Sequence, residues 1–66
     1  MTVLGQRIFD YRVKHDISQR EMADRLGTYL NQIWRLEKGR GVHSRNEKRL
    51  TDRLDELERR RSWYNV

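Results

Sequence analysis

Ser18-Gln19-Arg20-Glu21-Met22-Ala23-Asp24-Arg25-Leu26-Gly27, continuing through Thr28-Tyr29-Leu30-Asn31-Gln32-Ile33-Trp34-Arg35-Leu36-Glu37-Lys38-Gly39, is the stretch that decides the fold. Ser18 with Glu21 three residues later is a capping box: the serine oxygen accepts from the Glu21 amide while the glutamate reaches back to the Ser18 amide. The box opens a helix over 19–26 with Met22, Ala23 and Leu26 turned inward. Gly27 ends it, because glycine takes a positive φ without a Cβ clash. Thr28 is placed to cap a further helix over 29–38, with Ile33 and Leu36 inward and Gly39 at its end. Two helices meeting over so short a turn need a small residue at closest approach, and Ala23 supplies it.

Outward from this pair, the apolar residues keep a helical period. Leu4, Ile8 and Tyr11, with Val3 and Phe9 nearby, outline a first amphipathic helix over 3–15, and Asp16-Ile17 connect it to Ser18. Arg40-Gly41-Val42-His43 reads as a basic connector. Ser44 and Glu47 repeat the capping-box spacing and open a last helix over 45–61, with Leu50, Leu54 and Leu57 along one stripe. Asp55–Arg59 and Glu56–Arg60 are i, i+4 pairs worth only ~0.2–0.5 kcal/mol each. No proline occurs and no strand-like alternation is seen, so the expected class is all-α, a single compact domain over 1–66.

With 66 residues and no cysteine, neither a disulfide nor a thiolate metal site can brace the chain. A domain of this size buries only ~60% of its unfolded surface, so its core is small. The composition carries no signal-peptide pattern and no long apolar run, which predicts a cytoplasmic protein with no membrane partner. The formal net charge is +5, from 15 basic and 10 acidic residues, and three of the basic residues are lysine (Lys14, Lys38, Lys48) with the rest arginine. Such a balance favours a polyanionic partner. No nucleophile–base pair, paired carboxylates, phosphate loop or metal cluster can be assembled, and His15 and His43 lack companion ligands. The sequence therefore predicts no enzyme, no cofactor, no metal and no small-molecule substrate.

On the third helix, Asn31 and Arg35 lie i, i+4 on the face opposite Ile33 and Leu36, with Tyr29 and Leu30 at its exposed start. A helix held this way can enter a DNA major groove N-terminus first.

The run Ile8, Arg12, Ile17-Ser18-Gln19, Ala23, Leu26-Gly27, Ile33 and Leu36-Glu37-Lys38-Gly39 resembles the Cro/cI-like phage repressor family, the xenobiotic-response-element type of helix-turn-helix. The resemblance covers residues 8–39 and fades beyond Gly39. It implies a lambda-repressor-like domain of four helices, or at most five, since the family continues with two further helices where this sequence has room for one long one. It places base contacts on Tyr29, Leu30, Asn31 and Arg35, with Asn31 suited to adenine, Arg35 to guanine and Leu30 to a thymine methyl. Phosphate contacts fall on Gln19, Thr28, Lys38, Arg40 and Arg45, and Arg12–Glu37 matches a structural ion pair. The partner implied is a double-stranded DNA operator, with a homodimer on the DNA left open. A phage regulator of the Cro or repressor kind follows, acting by occupancy. Two other classes fit the same features: an antitoxin-like module whose C-terminal helix masks a toxin, and a Cox- or excisionase-like architectural factor of site-specific recombination.

Plainer roles stand beside these. Tyr29 can simply cover the core edge, Trp34 can pack on the C-terminal helix or form a protein-binding patch with Leu30, and Arg59-Arg60-Arg61 suits a solvated helix end. Trp63 and Tyr64 can dock on the core or on a second subunit.

Overall fold

The capping signals translate directly into backbone. The computed structural model describes the backbone of residues 2–64 and the side chains of residues 2–59. It contains four helices: α1 (Val3–His15), α2 (Gln19–Leu26), α3 (Leu30–Glu37) and α4 (Ser44–Tyr64), with no strand among the described residues. The fold is all-α, as the helical spacing predicts.

Helix α1 begins at Thr2, whose hydroxyl accepts from the Gly5 amide at 2.8 Å and donates to the Leu36 carbonyl of α3 at 3.3 Å. One small side chain thus caps α1 and ties it to α3. The helix closes on Asp16, which takes the left-handed conformation at φ 54° and ψ 51°. Helix α2 runs from the Ser18 cap, whose hydroxyl accepts from Glu21 N at 3.0 Å, to Gly27 at φ 66°.

Helix α3 departs from expectation at its start. Tyr29, not Thr28, is the residue before its first turn, and no side chain caps it. The Thr28 amide is spent on α2, donating to the Ala23 carbonyl at 2.9 Å in the closing pattern of a helix C-terminus. That leaves Thr28 one residue too early to cap α3. The predicted capping box of α4 is displaced in the same way. Ser44 is already helical; His43 Nδ1 accepts from Arg45 N at 3.2 Å, and the His43 carbonyl accepts from Glu47 N at 2.9 Å.

The core consists of Leu4, Ile8, Ile17, Met22, Ala23, Leu26, Ile33, Leu36, Leu50 and Leu54, with Tyr11, Val42 and Leu57 partly buried against it. Every helix contributes at least two of these. Val3, beside the Leu4–Ile8 stripe of α1, is 83% exposed, because it falls off that line. Helix α4 is held from outside the core by Arg7 of α1, whose guanidinium reaches Asp55 at 2.7 Å and Glu58 at 3.2 Å. The Arg7 pKa is raised, first by the hydrogen bond it donates to Asp55, against an opposing effect of burial. Asp55 therefore turns across to α1 instead of along α4 towards Arg59. The predicted Glu56–Arg60 pair, the arginine run beyond Arg59, and the Trp63 and Tyr64 side chains lie outside the described residues.

Gly5 marks the tightest packing. A Cβ there would land on the Leu36 carbonyl oxygen, so α1 and α3 lie backbone against backbone at this point. Gly5→Ala is expected to lower stability by about 1–3 kcal/mol or more, because two helices must separate to admit one methyl group. Urea denaturation checks this, and an unchanged midpoint would contradict the close approach. Asp16→Gly acts in the opposite direction. It relieves a left-handed non-glycine residue and removes a negative charge from a helix C-terminus, for an expected gain of about 0.3–1 kcal/mol; a loss of thermal stability would be the contrary result.

Candidate nucleic-acid interface

Helix α3 is clamped at one end. Arg12 of α1 meets Glu37 in a two-point ion pair, Nε to Oε2 and Nη2 to Oε1, both at 2.8 Å. Its remaining terminal nitrogen donates to the Ile17 carbonyl at 3.3 Å, and its guanidinium lies over the Phe9 ring, 5.7 Å from the centroid. Gln19, the first residue of α2, donates its amide to the same Glu37 carboxylate at 3.3 Å. The arginine and glutamate side chains are only 17% and 8% exposed, so this is not an ordinary surface pair.

Two parallel hydrogen bonds suit the planar guanidinium fork and hold the angle as well as the distance. The Arg12 pKa is raised, first by the Glu37 hydrogen bond, with burial pulling the other way. A raised folded-state value means that the contribution is complete below arginine's ordinary pKa and fades only as pH rises through the folded value. Across the neutral range the clamp is permanent.

The clamp and the core settle which face α3 shows. Ile33 and Leu36 are 0% and 1% exposed. At 100° per residue, Asn31, Trp34, Arg35 and Lys38 fall on the other side, and all four are exposed. Tyr29 and Leu30, at the leading end, are 78% and 42% exposed. Tyr29 therefore does not cover the core edge. All four residues expected to read bases share the free face or free end of one helix.

The residues expected to touch phosphate form a looser set. Lys38, Arg40 and Arg45 are exposed around the C-terminal end of α3 and the start of α4, and Thr28 is half-buried beside its N-terminus. Gln19 sits at the α2 N-terminus, where backbone amides face outward, with its side chain engaged on Glu37. Because Glu37 is committed to Arg12, the cations Arg35, Lys38, Arg40 and Arg45 have no free carboxylate of α3 beside them.

Two contacts here carry no signal in sequence spacing. Arg35 donates to the Gly41 carbonyl from Nη2 at 3.2 Å and from Nε at 3.4 Å. The Arg40 guanidinium lies over the Trp34 ring, 5.4 Å from its centroid. Trp34 is 40% exposed and engages the connector in this way.

Among the described residues, no group of His, Cys, Asp and Glu side chains is arranged to hold a metal ion, and no helix is long and apolar enough to cross a membrane. Comparison with protein-family models, with curated proteins and with solved structures finds no match for this chain.

Glu37→Ala leaves Arg12 charged in a mostly enclosed site and is expected to cost about 3–5 kcal/mol, a large part of the stability of a domain this small. Arg12→Met combined with Glu37→Leu is expected to cost much less than the two single changes added together. Chemical denaturation of the four proteins measures the coupling. A cost below about 1 kcal/mol for each single change, as in exposed pairs, would contradict the clamp.

Proposed function

We propose that this chain is a sequence-specific double-stranded DNA-binding protein that regulates transcription by occupying an operator. The observation that carries the reading is the presentation of α3. Its inward residues Ile33 and Leu36 are fully packed and its last residue is clamped by Arg12, while Asn31 and Arg35 stand outward on a chain of net charge +5. A rigid helix with a polar outer face inserts into a major groove at little ordering cost.

In that role Asn31 pairs with the N6/N7 edge of adenine, Arg35 with the O6/N7 edge of guanine, and Leu30 meets a thymine methyl, with Tyr29 at the leading end. Arg35 uses two of its five N–H donors on Gly41, which leaves three for a base. Gln19, Thr28, Lys38, Arg40 and Arg45 hold the flanking phosphates and fix the register without reading sequence. Occupancy then excludes polymerase. The resemblance to the Cro/cI-like family supports the same assignment, residue by residue. The protein is then a non-enzymatic regulator without a cofactor, working in the compartment that holds the DNA. If it binds as a homodimer, its half-sites lie ~34 Å apart, centre to centre.

Arg35→Ala and Lys38→Ala separate the two kinds of contact. Arg35→Ala is expected to lose about 1–3 kcal/mol on the preferred sequence and to relax specificity at one base pair. Lys38→Ala is expected to weaken all duplexes alike and to reduce the salt slope by about one. Fluorescence-anisotropy titration across a salt series reads both. Equal losses on preferred and random DNA for Arg35→Ala would remove its base-reading role.

A further inference from the structure

Trp34 belongs neither to the core nor to the set of residues that face bases, yet it occupies the outward side of α3. Arg40 lies over its ring, 5.4 Å from the centroid, and the next residue, Arg35, bonds the Gly41 carbonyl. Consecutive residues of α3 thus hold consecutive residues of the connector. The turn between them is equally defined: Gly39 takes φ 82°, its amide donates to the Leu36 carbonyl at 3.2 Å, and Arg40 N donates to the Arg35 carbonyl at 2.8 Å. The chain leaving α3 folds back along the helix instead of running free, although Arg40 is flanked by glycine on both sides.

We propose that Trp34 is a positioning residue that holds Arg40 against the outward face of α3, so that its charge meets a backbone phosphate beside the bases facing Arg35. The inference rests on the reading of α3 as a duplex-binding helix and adds a role for a residue that the reading leaves idle. The chemistry of the stack supports it. A guanidinium held by an aromatic ring is attracted without spending an N–H donor on a carboxylate, so donors remain for phosphate oxygens. Arg40 can therefore be immobilised and engaged at once, which a hydrogen bond to a carboxylate would prevent. The charge around it fits a phosphate rod better than a mixed protein surface. Lys38, Arg40 and Arg45 are each exposed, and Glu37, the one carboxylate of α3, is committed to Arg12.

The test uses the full chain and a mixed-sequence DNA duplex, titrated across a salt series with the wild type, Trp34→Ala, Arg40→Ala, the double variant and Trp34→Phe. Trp34→Ala and Arg40→Ala should each weaken binding roughly threefold to tenfold and each lower the salt slope by about one. The double variant should bind no more weakly than either single one, and Trp34→Phe should retain most of the wild-type slope. A second measurement needs no DNA. In a Trp63→Phe background, Arg40→Ala should make the remaining indole more accessible to acrylamide quenching.

An unchanged salt slope for Trp34→Ala, additive losses in the double variant, or unchanged quenching would each overturn the positioning role while leaving DNA binding intact. A wild type that ignores the duplex and binds polyglutamate would overturn both the positioning role and the parent reading.

Discussion

Arg12 and Glu37 together join three parts of the chain. The two bonds of Arg12 to Glu37 fix the end of α3, its third holds the Ile17 carbonyl between α1 and α2, and Gln19 brings the start of α2 to the same carboxylate. Charges this little exposed are costly unless paired, so the domain tolerates few alternatives to this geometry. The second fixed point is Gly5, where α1 touches the Leu36 carbonyl. Gly5 and Arg12 are about two helical turns, or ~10 Å, apart on α1, yet both hold the last turn of α3. The C-terminal turn of α3 therefore lies clamped across α1, while its N-terminal half is left to project.

Much of the surface chemistry follows from that asymmetry. With Ile33 and Leu36 packed, the outward face of α3 shows Asn31, Trp34 and Arg35, with Leu30 exposed at its start, and the one carboxylate it carries is consumed by the clamp. The cations nearby then act together instead of being neutralised by a carboxylate of α3, a condition that raises the local concentration of a polyanion. The connector follows α3 for the same reason. On the helix so fixed, Trp34 meets Arg40 and Arg35 bonds the Gly41 carbonyl.

The bounds of α1 and α2 were legible because local chemistry decides them: a serine cap, a left-handed glycine and an unbroken apolar stripe, with no tertiary contact needed. The inward residues of α3 and α4 were legible for the same reason of period. What escaped was the tertiary and the competitive. Gly5 looks like a weak helix residue until Leu36 lies against it, and Arg7 looks like a solvated cation until Asp55 and Glu58 arrive from α4. Thr28 and Ser44 are good caps by type, but α3 starts one residue later, after Tyr29, and His43 takes the place before α4. The Trp34–Arg40 stack has no fixed spacing to announce it. The outward face of α3 lay between these cases: periodicity places Asn31, Trp34, Arg35 and Lys38 on one side, and the packed domain adds that all four are exposed and that Trp34 meets Arg40.

The role proposed for the outward face of α3 is to read a DNA sequence. Selection of bound duplexes from a random pool by the wild-type protein tests it most directly, with sequencing of successive rounds. Progressive enrichment of one short motif that includes a guanine and an adenine within the reach of a single helix is expected, with affinity falling steeply as salt rises. Binding that stays equal across the pool after repeated rounds, or no retention of any duplex at physiological salt, would contradict it.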